Sequence, residues 1–441
     1  MKHRFPMKLM SALILAVVSG ATYASGFQLM EQNASGIGNA FAGSAAVGEN
    51  ASTIYYNPAA MTRLQAHEIS AGLVALKPSL RFKDQGSSVG LLDGAGNGGD
   101  AGDWAYVPNV YAAWAVNKDI YLGLGISSPF GLKSDYKDRW LGAAQSQLYE
   151  VKTININPSL AWRATDKVSL GFGLNWQKVD VKYDRLAGAY ALGPLQLDRI
   201  TAKARFDDDA WGWNVGVLFE LSPAMRVGLS YRSRIKYHTS GDIKLHSDDS
   251  AVGNTTLAAL TAMGAQSSIK GNITLPDSFI ISVAQNLSNR WEMLGDLSWT
   301  GWSSIPKFDL IRTSGVLNGT QAQRLATNLR HTWRIALGAN YKYNDQCELK
   351  YGIAYDQTPV KRSETRLVQL PDNDRLWLSF GTQWMPNKGS RLDLGLSYLY
   401  VRDTKINKLV NTSSQGYEGG RVTGKYDGSL WVFGAQYSQA F

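Results

Sequence analysis

The sequence predicts an all-β fold, a transmembrane antiparallel β-barrel of about 14 strands with an N-terminal hatch, or plug, inside its lumen. Three observations carry that expectation. Apolar residues recur with a period of two in many short segments, the segments are joined by short turns alternating with long polar loops, and the chain opens on a secretory-type leader. Composition agrees. The chain holds 14 Trp, 21 Tyr and 44 Gly, yet its mean hydropathy is slightly negative, -0.21. Many aromatics without overall hydrophobicity suit strands with two unlike faces better than one large buried core.

The first element is the leader, residues 1–24. Lys2, Arg4 and Lys8 make a basic start, "LMSALILAVV" an apolar core, and Thr22-Tyr23-Ala24 a cleavage site. The apolar run is roughly ten residues, too short for a membrane helix, so a mature chain beginning at Ser25 is expected. The net charge of +9 falls when the leader is removed but stays positive, a weak pointer to acidic ligands or lipid head groups. Cys347 is the only cysteine, so no intramolecular disulfide can form, and it reads as a buried strand residue. No later apolar run reaches the ~18 residues of a helical span. The chain is therefore periplasmic, secreted or an outer-membrane barrel, and the period decides.

Next comes the hatch, residues 25–65. "SGIGNAFAGSAAVGENAS" is small and Gly-rich without a strand period, and "IYYNPAAM" (Ile54–Met61) follows with its rigid Asn57-Pro58 turn. A barrel of this size is too wide to be filled by its own wall side chains. The segment is expected to fold inside and block it, the alternative being a disordered leader ahead of the first strand.

The barrel itself is residues 66–441. In "KVSLGFGLNW", Val168, Leu170, Phe172, Leu174 and Trp176 share one face and Ser169, Gly171, Gly173 and Asn175 the other. "AWGWNVGVLF", "IYLGLGIS", "RVGLSYR", "WRIALGANY", "RLWLSFGTQW" and "RLDLGLSYLY" repeat the pattern. An apolar face toward lipid and a small or polar face toward a lumen explain it. Short turns fall at Asn117-Lys118-Asp119, Ala164-Thr165-Asp166, Ser222-Pro223-Ala224, Leu287-Ser288-Asn289, Asn344-Asp345 and Pro386-Asn387-Lys388-Gly389. Longer loops are expected near 84–103, 132–147, 184–208, 241–270, 303–330, 357–374 and 403–425. The last strand, "WVFGAQYSQAF", ends on the aromatic Phe441 and closes the sheet.

"SGFQLMEQNASGIGNAFAGSAA…NPAAM", with "WGWNVGVLFEL", "GIAYDQTPV" and "LPDNDRLWLSFGTQW", resembles the FadL/TodX family of outer-membrane long-chain fatty-acid and hydrocarbon transporters. The resemblance implies a fourteen-stranded barrel with a lumenal hatch and lateral release of an amphiphile through the wall. Asn57, Pro58 and Ala59 match the hatch motif, and Gly26 and Phe27 the tip that reaches the ligand pocket. The side opening is placed at Ser127, Ser128, Pro129, Phe130 and Gly131. Taken alone, Pro129 reads rather as the end of a strand before a loop; the resemblance turns the reading to a kink. Arg185 matches a basic pocket residue, and Arg324 falls near a second one, against the plain reading of a solvated loop arginine. Phe27 is a pocket wall or hatch packing. "AVGNTTLAALTAMGAQ" is expected to form a short amphipathic helix beside a rather short partner loop.

The expected function is energy-independent uptake of long-chain fatty acids, with aromatic or aliphatic hydrocarbons as the alternative cargo. His67, His238, His246 and His331 lie in no catalytic motif, and there is no HExxH or nucleotide-binding loop. No enzyme, cofactor, metal or nucleic-acid role is expected. The partners expected are a hydrophobic small molecule, outer-membrane lipids and lipopolysaccharide, and the barrel-assembly machinery, for a monomer in the outer membrane of a Gram-negative bacterium.

Overall fold

The structure, a computed structural model, describes residues 26–65, 67–137, 139–411 and 418–441; the expected leader and Ser25 lie outside them. Fourteen antiparallel strands close into one barrel. They are β1 Glu68–Asp84, β2 Ala105–Ala115, β3 (Ile120–Ser127 and Gly131–Asp135), β4 Leu148–Thr165, β5 Val168–Leu186, β6 Ile200–Ser222 and β7 (Met225–Arg232 and Ile235–Ser247). There follow β8 (Ser267–Leu275 and Ser278–Asn286), β9 (Trp291–Thr300 and Lys307–Arg312), β10 (Gln321–Ala326 and Thr332–Lys342), β11 Cys347–Asp356, β12 Arg375–Asn387, β13 (Ser390–Val401 and Thr404–Asn411) and β14 Glu418–Ala440. Pairing of β1 with β14 from Glu68↔Ala440 to Asp84↔Gly424 closes the ring.

Several strands are far longer than the 9–11 residues that cross a bilayer. In β5 the period survives along the whole strand but its phase inverts. Leu170, Phe172 and Leu174 point outward and are 39–45% exposed, while Ser169, Gly173 and Asn175 point inward. Farther along, Lys178, Asp180 and Lys182 point outward and Val179, Val181 and Tyr183 are buried within. β6 does the same, from Trp213 and Val215 outward to Ala204 and Phe206 inward. The inversion marks where the wall leaves lipid. Beyond it the outer face meets water, and the inner faces pack into a buried apolar cluster in the outer half of the barrel.

This corrects the loop boundaries. Much of 184–208, 241–270, 303–330 and 403–425 is barrel wall carrying charge on its wet face. The expected helix forms as Ala251–Ala262, capped where the Ser250 hydroxyl accepts from the Gly253 N–H (3.0 Å). Its inner face is formed by Gly253 and Thr256, which are buried, and by Leu257 and Leu260, which pack partly buried against the apolar cluster. Cys347 is half-buried at the start of β11.

Of residues 26–65 only Gln65 is exposed. The segment folds as 3-10 turns at Ile37–Asn39 and Pro58–Arg63 around a helical turn, Thr53–Tyr56, and it lies against the inner wall. Small residues on the inner face of the strands therefore contact the hatch rather than lining an open lumen. A Cβ on Gly171, Gly216, Gly228 or Gly352 would collide with Ala59, Asn57, Ala45 or Asn39 respectively. Register aligns these positions into a belt: Gly171 faces Gly216, Gly338 faces Gly352, and Gly381 faces Gly395, which faces Gly434. Gly216→Val should leave the barrel assembled but undock the hatch. It is checked as retained heat-modifiable migration on a gel together with new protease cleavage inside residues 26–65.

Candidate functional site

The wall is interrupted beside β3. β2 pairs with β3 only from Ala115↔Tyr121 to Val110↔Ile126, whereas β2 stays paired with β1 as far as Leu76↔Ala105. The outer piece of β3, Gly131–Asp135, pairs with β4. Among the described residues, Ala105–Asn109 thus has no strand partner on its β3 side. Between the two pieces, Ser127, Ser128, Pro129, Phe130 and Gly131 leave the strand. The Ser128 hydroxyl donates to the Thr153 carbonyl (2.7 Å), and the Phe130 N–H donates to the Thr153 hydroxyl (2.9 Å).

The hatch tip fits into this break. The Leu29 N–H donates to the Pro129 carbonyl (2.8 Å), and the Gly131 N–H to the Phe27 carbonyl (2.9 Å). The Gln32 amide donates to the Ser128 carbonyl (2.8 Å) and accepts from the Ser128 N–H (3.1 Å). The Phe27 ring packs against Trp302 and Phe130, with centroids 4.9 and 5.9 Å away. Phe27 is thus both hatch packing and floor of the outer apolar cluster. Gly26 has φ +65° and no room for a Cβ beside Trp302. Its N–H donates to the Asp372 carboxylate (3.1 Å).

Asp372 comes from 357–374, which does not stand outside as a polar loop. Leu367, Val368 and Leu370 are buried in the apolar cluster. Asp372 also accepts from the Thr358 hydroxyl (2.6 Å) and pairs with Arg375. The Tyr136 hydroxyl donates to the Val368 carbonyl (2.7 Å), so this segment touches both the hatch tip and the chain just beyond β3. Trp302, Thr153 and Asp372 carried no signal in the sequence, because each acts through a position that only the fold creates.

At the outer end of the cluster, Arg185 points inward on the same face as Val181 and Tyr183. It donates to the carbonyls of Leu186 (2.8 Å) and Ala187 (3.2 Å). Arg312, on the face of Phe308 and Leu310, donates to the Ala265 carbonyl and the Ser267 hydroxyl and is near enough for its charge and that of Arg185 to interact. Among the described residues neither has a carboxylate within salt-bridge distance. Arg324 is different. It stands opposite Asp309 on the outward face and is ion-paired to it at 2.6 Å. Arg324 therefore faces outward rather than toward the pocket as expected, whereas Arg312 faces inward. Pairs of strand positions one residue out of phase lie on opposite faces.

At the gate motif the Asn57 amide donates to the carbonyls of Ala45 (2.7 Å) and Val217 (3.0 Å), and its side-chain oxygen accepts from the Ala59 N–H (3.1 Å). Pro58 begins the 3-10 turn, where a missing N–H costs nothing. Ala40 and Phe41 are both left-handed (φ 48° and 57°), a strained pair whose Ala40 carbonyl accepts from Arg334 (2.5 Å). Glu31 is buried in the hatch, and burial pushes its carboxyl up to about 7 although Arg375 and Arg334 pull it down. Beneath the hatch lies a cavity of about 780 Å³ lined by Glu49, Arg63, Arg226, Glu292, Lys342 and Arg391 among others.

Comparisons with known proteins match this arrangement. Residues 15–441 fit the family described as outer membrane protein transport protein (OMPP1/FadL/TodX). The long-chain fatty acid transport protein of Salmonella typhi is 30% identical over 446 residues, covering 98% of this chain and 97% of that one. That of Escherichia coli K12 is 30% identical over 457 residues with the same coverage. Among solved structures, a Pseudomonas aeruginosa FadL homologue superposes with a TM-score of 0.84 at 22% identity, covering 94% of this chain and 99% of that one. The Pseudomonas putida toluene transporter TodX superposes at 0.62 with 15% identity, covering 93% and 98%. The chain belongs to the OMPP1/FadL/TodX family of outer-membrane transport proteins and is a transport channel of the outer membrane of a Gram-negative bacterium.

Proposed function

We propose that the chain takes up long-chain fatty acids, which bind in the outer apolar cluster, displace the tip of the hatch and leave sideways through the break between β2 and β3. The observation that carries this reading is the pair Arg185 and Arg312, inward-facing cations without a carboxylate of their own at the end of an apolar cluster. A fatty acid supplies what they lack: a carboxylate for a charge-assisted hydrogen bond and a tail for the cluster. A hydrocarbon needs neither arginine. The lower cavity favours lateral release, since its ion-paired lining offers nothing to an alkyl tail.

The energetics need no motor. Burying about fifteen methylenes gains roughly 12 kcal/mol gross at ~0.8 kcal/mol each, and the bilayer interior returns nearly the same. A ligand passing from cluster to lipid without meeting water moves on a nearly level path, so removal inside the cell suffices as a sink. Hatch movement is eased by the strained Ala40–Phe41 pair and limited by the Asn57 anchor. In this reading Asn57, Pro58 and Ala59 hold the inner end of the hatch while Gly26 and Phe27 move.

Binding of radiolabelled hexadecanoate to the purified barrel tests the reading. Arg185→Ala and Arg312→Ala should each weaken it about tenfold, the loss of one charge-assisted bond. Binding indifferent to both and matched by toluene would favour the hydrocarbon alternative. Replacing Ser128–Gly131 by a regular strand sequence should preserve binding and abolish uptake, and normal uptake would exclude the side exit. Asn57→Ala strands two buried carbonyls and should raise permeability to small polar antibiotics; an unchanged barrier would remove Asn57 from the gate.

Glu31 adds a pH dependence. Its carboxyl titrates higher docked than in water, so docking favours the protonated form. Docking is strongest below about 4.5 and weakens as pH rises through about 7. Protease cleavage of the hatch should therefore increase over that window, and Glu31→Gln should flatten the profile.

A further inference from the structure

A second polar site lies inside the wall, next to the break and remote from Arg185 and Arg312. Asn155 and Asn157 on β4, Asn175 and Gln177 on β5 and Asn214 on β6 all point inward and are at most 1% exposed. They are neighbours through register, Asn155 opposite Gln177 and Gly173 opposite Asn214, and they adjoin β3 where Ser127 pairs with Asn155 and Gly125 with Asn157. Three bonds join them: the Asn155 amide donates to Asn175 (3.1 Å), the Asn175 amide to Asn214 (2.8 Å) and the Asn157 amide to Asn214 (3.1 Å). Hydrogen-bonding capacity is left over at Asn155 Oδ1, Asn157 Oδ1, Gln177 Nε2 and Asn214 Nδ2. Four such atoms in one apolar protein wall are costly unless some state of the protein satisfies them.

Arg232, at the end of the inner piece of β7, completes the group. It donates to the Asn175 side-chain oxygen and to the Tyr55 carbonyl of the hatch (2.9 Å), and its guanidinium lies over the Tyr55 ring (4.4 Å). It is only half-buried, and among the described residues no carboxylate is within salt-bridge distance. Tyr55 thus covers a cation set among amides. Moving the hatch uncovers it.

We propose that Arg232 and these amides are a second head-group subsite, which takes the carboxylate of the amphiphile after it leaves the outer arginines and while its tail passes through the break. The inference rests on the fatty-acid reading above. Arg185 and Gln177 are on one face of β5, eight residues or about 26 Å apart at ~3.3 Å per residue, somewhat more than an extended sixteen-carbon chain. A ligand held by its head at Arg185 therefore brings its tail toward the break without reaching past it. To complete the passage the head has to travel inward, and a bare carboxylate in an apolar tunnel would be costly. Arg232 gives it a charge, and Gln177 Nε2 and Asn214 Nδ2 give it two unused hydrogen-bond donors, at the level of the exit, while the unused oxygens of Asn155 and Asn157 can only accept.

The test measures equilibrium binding of radiolabelled hexadecanoate to the purified barrel and its uptake by a Gram-negative host lacking its own fatty-acid channel. In Arg232→Gln, binding should stay within about twofold, because the outer arginines are intact, while uptake falls about tenfold, and Arg232→Lys should restore most of it. Since Arg232 also holds Tyr55, some added protease cleavage of the hatch is expected, and equally, in both variants. Unaltered uptake in Arg232→Gln, a lysine variant as slow as the glutamine variant, or uptake that follows protease cleavage rather than charge would each overturn the subsite. If Arg232→Gln fails to assemble, Gln177→Leu serves in its place with the same two readouts. Absence of saturable hexadecanoate binding by the unaltered protein would instead overturn the fatty-acid reading itself.

Discussion

The structure depends on one close contact, the approach of hatch backbone to wall backbone where the wall has no side chains. Ala59, Ala45 and Asn39 bring their backbone to the sheet because Gly171, Gly228 and Gly352 stand there, and nothing larger would fit. From that contact follow the depth of the hatch, the orientation of the Asn57 amide and the register at which residues 27–32 meet the broken strand. A wall of ordinary side chains would hold the same segment several ångströms inward and leave β3 unpartnered at its break. The glycines thus set where the hatch tip meets the break as well as how deep the plug lies.

Above the hatch the barrel stops being a membrane protein in its outer surface and becomes one in its interior. The phase inversion in β5 and β6 moves apolar residues from the lipid face to the inner face, so that a buried apolar cluster lies inside the wall at the level of the gap beside β3. Segment 357–374 folds into that cluster, and its Asp372 receives the N–H of Gly26. The two cation sites, Arg185 with Arg312 and Arg232 with its amides, lie at opposite ends of the proposed path. Neither would be stable as a bare charge in a closed core. Both are backed by backbone or amide oxygens that leave their charge unneutralised.

The barrel was legible because a lipid-facing strand is a strict alternation, and Leu170-Gly171-Phe172-Gly173 admits few other readings. The outer extensions were not, since an alternation of Lys178, Asp180 and Lys182 with Val179 and Val181 looks like a polar loop unless the inner face is known to be apolar. Asn57 and Pro58 were legible as a rigid turn, and Pro129 as a break, because both residue types restrict the backbone locally. Arg324 misled for a reason of parity. Being on a strand beside the pocket settles nothing until the face is known, and the bulge between Leu310 and Ile311 shifts pairing just there. Trp302 and Asp372 were beyond reach, since their partners are hundreds of residues away in sequence.

The prolines near the break have a further consequence. Pro108 on β2, Pro129 in the gap and Pro158 on β4 sit on three successive strands, with Pro158 opposite Leu124 and Pro108 opposite Leu73. When the tip of the hatch withdraws, backbone groups it had satisfied face hydrocarbon, where an unpaired N–H is expensive. Pro129 has no N–H to strand, so in the proposed opening only the Ser128 and Gly131 N–H groups would lose the bonds they make to the tip.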